Sequence, residues 1–176
     1  MEGNKTLSQS GKEVLIKAVA PAIPTYTMSC FKLPATFCNE IENMMAKSWW
    51  GQKQDENKVR WVSWSKMCEA KANGGMSFKE LQIFNEALLA KQGWRIMTEE
   101  ISLLHKVFKA NYFPQTRFCD AKLGSSPSYV WKGIWEPKRN LLRGCRWRVG
   151  DEKAINIWSD YWLPCHRLLQ DSNQRD

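Results

Sequence analysis

The sequence predicts a mainly α-helical fold that ends in a small β-hairpin. Apolar residues recur at helical spacing through most of the chain, Ser, Thr, Pro and Gly punctuate those stripes, and the spacing turns to alternation only after Gly144. The chain has 176 residues and is 43% hydrophobic, with ten Trp and seven Phe. That is enough apolar surface for one domain or two small subdomains, and too much for a disordered chain.

A first helix is expected over 13–23, where Val14, Leu15, Ala18, Val19, Ala22 and Ile23 share a face. Pro21 and Pro24 are then expected to turn the chain into an extended link over 26–33. Pro34 suits a first helical turn, and Phe37, Ile41, Met44, Met45 and Trp49 form a stripe that stops at Gly51. The polar stretch 52–60 reads as a surface loop and a subdomain joint. A short helix follows at 64–70 and closes on the turn Asn73-Gly74-Gly75.

Ser77-Phe78-Lys79-Glu80 has the spacing of a capping box, ahead of a helix that runs to about Ile96 through Leu81, Phe84 and Leu88. Thr98 is expected to cap the next helix, with Glu99 and Glu100 at its positive end and Ile101, Leu104, Val107 and Phe108 on one face. Ser126-Pro127 opens a further run through Tyr129, Val130, Ile134 and Trp135, interrupted at Pro137 and closed at Gly144. Beyond it Trp147 and Val149 alternate with Arg146 and Arg148, and Gly150-Asp151 turns the chain toward Ile155, Ile157 and Trp158. The expected division is 1–51, 52–145, a hairpin over 146–164 and a tail over 165–176.

No self-contained catalytic constellation is legible. Metal-dependent phosphoryl transfer needs converging carboxylates, but the acidic pairs Asp55-Glu56, Glu99-Glu100 and Asp151-Glu152 fall where structural acids commonly sit. His105 and His166 are the only histidines, without a partner at ligand spacing. His105 reads as a half-buried structural residue. Cys30, Cys38, Cys68, Cys119, Cys145 and Cys165 form no CxxC pair and read as reduced thiols, so no metal or cofactor is expected. The most apolar stretch is shorter than a bilayer span and broken by proline. Neither a signal peptide nor an Arg-rich transit peptide is evident, which points to an intracellular chain in nucleus or cytoplasm with no membrane partner.

Lys plus Arg number 26 against 18 Asp plus Glu, a net charge of +8 that favours an anionic partner, although a merely solvated basic surface would give the same sum. Nucleic acids are held by cations on phosphates and aromatic faces on bases, and three stretches combine the two: 58–66, Trp94-Arg95 and 138–148. The candidate contacts are Lys138, Arg139, Arg143, Arg146 and Arg148, together with Lys58, Arg60 and Arg95. Trp61, Trp64 and Trp94 are expected in the core rather than as stacking platforms.

Many short motifs occur in one order. Gly11-Lys12-Glu13-Val14-Leu15-Ile16-Lys17-Ala18-Val19, Ile23-Pro24-Thr25-Tyr26 and Met28-Ser29-Cys30-Phe31 are followed by Trp50-Gly51, Trp61-Val62-Ser63-Trp64 and Gly74-Gly75-Met76-Ser77-Phe78. Next come Phe84-Asn85-Glu86-Ala87-Leu88-Leu89-Ala90-Lys91-Gln92, Trp94-Arg95, Tyr112-Phe113-Pro114, Ser128-Tyr129-Val130-Trp131 and Arg146-Trp147-Arg148-Val149-Gly150. This order resembles the region just after the palm in plant LINE-type, non-LTR reverse transcriptases, and the stand-alone reading frames derived from them in plant nuclear and mitochondrial genomes.

The resemblance implies a helical thumb and connection that contacts template and primer, RNA or DNA, beside a palm domain or another protein. The aspartate pair that binds Mg²⁺ in such polymerases has no counterpart here, and is expected upstream of this stretch. The chain is therefore expected to be a non-catalytic fragment. Two alternatives are a structural or protein-interaction module, and a degenerate remnant with no selected function.

Overall fold

The computed structural model describes residues 8–51 and 59–145. It is mainly α-helical, with no strand among the described residues. The expected hairpin and tail lie outside them. The chain divides into two compact units, Met1–Leu89 and Ala90–Asp176.

The first unit opens with α1 (Gln9–Val14), whose first turn is capped by Ser8 Oγ accepting from the Gly11 N–H at 3.2 Å. A π-helical turn at Leu15–Val19 leads directly into α2 (Ala20–Cys30), with the Ala20 N–H bonded to the Leu15 carbonyl. This corrects the expected extended link: the helix runs through both prolines. The wide turn falls just before Pro21, which has no N–H to offer the ladder, and the Thr25 hydroxyl donates to the Pro21 carbonyl farther along. Continuing the helix buries Pro21 and Met28, an apolar gain that offsets the bond Pro24 cannot make.

The next helix, α3 (Ala35–Trp50), runs as expected from Pro34 to Gly51, whose φ of 65° is the left-handed conformation glycine tolerates best. Lys12 Nζ donates to the Trp49 carbonyl at 3.4 Å, placing a cation at the negative end of α3. After α4 (Trp64–Cys68), capped by Ser63, a tight loop turns through Gly74 and Gly75. Trp49 and Trp64 pack on the buried Phe78, each with ring centroids 5.3 Å away. Around them Ile16, Met28, Cys38, Met45, Met67 and Leu81 complete the core of this unit.

Helix α5 (Leu81–Thr98) is not capped by Ser77. Ser77 adopts φ 55° and its hydroxyl accepts instead from the Lys71 N–H at 3.2 Å, so it braces the preceding loop. The Leu81 N–H is met by the Glu42 carboxylate of α3 at 2.6 Å. A cap arriving from 39 residues away leaves no local signature.

In the second unit, Thr98 closes α5 by donating its hydroxyl to the Trp94 carbonyl, and Ser102 caps α6 (Leu103–Tyr112), accepting from the His105 N–H at 3.2 Å. That moves the expected cap four residues along. The link Glu99 to Ser102 is long enough for the Ser102 hydroxyl to fold back on the Glu99 carbonyl at 2.7 Å. Helix α7 (Tyr129–Trp135) is capped by Ser128 rather than Ser126, and α8 (Lys138–Gly144) follows the interruption at Pro137. The core is an aromatic nest around the fully buried Trp131. Tyr112 stacks on it at 4.6 Å, and Phe108, Phe113 and Phe118 lie within 6.0 Å. Its indole N–H donates to the Leu123 carbonyl at 3.1 Å, so the buried polar atom is satisfied.

Candidate nucleic-acid interface

A phosphate contact needs a cation that reaches solvent, and the described cations differ in how far they do. Arg139 and Arg143 stand one turn apart on α8, both exposed, and neighbours four residues apart share a helix face. Lys138, at the start of the same helix, turns inward. Its ammonium donates to the Ala121 carbonyl at 2.6 Å, with the rings of Phe118 and Trp135 5.9 and 5.8 Å away. Burial lowers its pKa, while Cys119 and Asp120 pull it back up. The Trp135 indole N–H donates to the same carbonyl at 3.1 Å, so Lys138 fastens α8 to the turn at Phe118–Asp120.

Arg95 is exposed near the end of α5, but its Nε lies 3.4 Å from the Glu99 carboxylate, which offsets its charge. In the first unit Arg60 is exposed and donates to the Asn43 side chain at 3.4 Å. Lys58, Arg146 and Arg148 lie outside the described residues. The predicted cations that are described thus include Arg139 and Arg143 on one helix face, with Arg60 in the first unit and Arg95 in the second.

The tryptophans depart from expectation at two positions. Trp64 is half-buried, stacked on Phe78, and Trp94 is 46% exposed. The exposure of Trp94 corrects its expected place in the core, and so does that of Trp61, which is 80% exposed. It precedes the Ser63 cap and so lies outside the stripe that buries Trp64 and Met67. That position relative to the cap was the available signal.

His105 is structural: it is buried, its Nδ1 lies 2.6 Å from the Ile96 carbonyl, and its ring meets the edge of Phe113. Among the described residues no group of three or more His, Cys, Asp or Glu side chains converges as a metal site would require. No described helix is long and apolar enough to cross a membrane.

No protein-family model and no solved structure matches the chain. Two proteins of Arabidopsis thaliana do. It is 36% identical to the uncharacterized mitochondrial protein AtMg00310 over 143 residues, covering 81% of this chain and 93% of that protein. It is 32% identical over 174 residues, 96% of its length, to At1g65750, a protein whose name assigns it to the ribonuclease H proteins. The chain spans only 28% of that longer relative. Helical architecture and these two relatives are consistent with a retroelement-related class of plant protein. Within it, the chain belongs to the family of the mitochondrial protein AtMg00310.

Proposed function

We propose that the chain is the non-catalytic region that follows the palm in a non-LTR retroelement reverse transcriptase, and that it contacts the backbone of template and primer. The observation that carries this reading is α8, where Arg139 and Arg143 face outward on a helix that Lys138 holds in place. The ordered motifs shared with that enzyme class support it, as does the net charge of +8. The reading gives the chain no chemistry of its own. A filter-binding titration of the whole chain with RNA·DNA hybrid tests it. Affinity should fall steeply as salt rises, and absent or salt-insensitive binding sinks it.

A second reading, a module that docks on another protein, is favoured by an apolar cavity of about 520 Å³ between Leu15–Thr27 and α3. Ile23, which lines it, is 80% exposed, and Met44 on α3 is 60% exposed. If the cavity is a docking site, Ile23→Glu abolishes self-association or partner capture in size-exclusion chromatography. Unchanged elution against a wild type that does associate excludes it.

A further inference from the structure

Trp61 differs from the other described tryptophans. Trp49 and Trp131 are buried, Trp50, Trp64 and Trp135 half-buried and Trp94 46% exposed, whereas Trp61 keeps 80% of its surface in solvent. Arg60, immediately before it in sequence, is also exposed and donates to Asn43 Oδ1 on α3. Val59 and Val62, 66% and 39% exposed, widen the apolar surface.

This pairing suits one ligand better than another. A stable protein interface needs roughly 800 Å² on each partner, far more than four residues offer. An exposed indole with an exposed arginine adjacent in sequence offers the two things an unpaired nucleotide needs, a face for the base and a charge for its phosphate. Bases within a duplex already stack on each other and offer only their edges in the grooves, so an indole face selects unpaired ones.

We infer that Trp61, beside Arg60, is a stacking platform for an unpaired base, so that this chain engages a single-stranded segment of nucleic acid as well as duplex backbone. The inference rests on the nucleic-acid reading above. The platform supplies affinity for single strands with little preference among bases, because every base has a π face.

The test uses the whole chain as wild type, Trp61→Ala and Trp61→Phe, titrated with labelled oligouridylate and with a blunt RNA·DNA hybrid of equal length. Trp61→Ala should weaken oligouridylate binding about tenfold and leave the hybrid unaffected, while Trp61→Phe retains most of the affinity. Equal weakening of both ligands, no change with oligouridylate, or wild-type binding to the hybrid alone overturns the platform and leaves the nucleic-acid reading standing. Wild-type binding to neither ligand overturns both. Photocrosslinking of the wild type to an iodouridine-bearing strand gives a readout that needs no variant to fold. The adduct should fall on Trp61, and an adduct only elsewhere overturns the platform.

Discussion

The Asn85 amide of α5 donates to the Met28 carbonyl of α2 at 2.7 Å, at a position where Asn85 is 2% exposed. The same amide donates to the Phe31 carbonyl at 2.9 Å, and its oxygen accepts from the Leu33 N–H at 2.8 Å. One side chain thus satisfies the backbone where α2 ends and the chain turns toward α3. Asn85→Ala leaves those groups without partners and should destabilise the chain by about 3 kcal/mol in urea unfolding. Asn85→Asp, which keeps the acceptor but loses both donated bonds, should recover little of that loss.

Gly75 is fixed by proximity. A Cβ there would come within 2.1 Å of the Glu69 carbonyl oxygen, which is backbone and cannot rotate aside. Gly75→Ala should therefore cost about 2 kcal/mol or more, read as a lowered urea midpoint with an unchanged slope.

Lys138 and Arg139 are adjacent in sequence and should separate by assay. Lys138→Ala removes the bond to the Ala121 carbonyl, so its main effect should be on unfolding, with little change in the salt dependence of nucleic-acid binding. Arg139→Ala should leave stability nearly unchanged and lower the slope of log affinity against log salt by about one. The reverse pattern would move the phosphate contact to Lys138.

Glu42 gives the stability a pH dependence of known sign. Burial raises its pKa above the ordinary 4.5, the Leu81 N–H lowers it, and Glu80 raises it again, with a net upward shift. A carboxyl raised in the folded state contributes stability that is fully present below 4.5 and is lost as pH rises through the folded value. Glu42→Gln keeps an acceptor for Leu81 without the buried charge. Relative to wild type it should gain urea stability between about pH 4 and pH 7.

Cys68 should resist alkylation. Burial first, then Glu42 and Glu80, push its thiol up to about 11 from the ordinary 9.0. At about pH 8 its thiolate fraction is then roughly a hundredfold below that of an exposed cysteine, and iodoacetamide labelling followed by mass spectrometry should show the lag.

What could be read in advance depended on how far the deciding interaction lies along the chain. Helix α3 was legible from end to end, because Pro34, the apolar stripe and Gly51 are all local. Caps were legible in kind but not in position. Thr98, Ser126 and Ser77 looked like starts, yet Ser102 and Ser128 start the helices, and α5 takes the Glu42 carboxylate from another helix. Pro24 suggested a break because proline costs a local bond, and the burial of Met28 that offsets the cost is a tertiary gain. In the candidate interface, charge count placed Lys138 with its neighbours. Only the fold puts the Ala121 carbonyl within reach of its ammonium. Trp61 was misplaced because tryptophan is usually core, and the composition of 58–66 does not say which of its two indoles turns outward.

The π-helical turn at Leu15–Val19 acts as a phase shifter. Each residue of an α-helix advances the side-chain direction by about 100°, so the extra residue held in that turn sets which side of α2 faces inward. A plain α-helical turn over the same residues would rotate everything after it by about 100°, taking Pro21 and Met28 out of the core and the Met28 carbonyl away from Asn85. The width of that one turn thereby decides which face of α2 the rest of this unit meets.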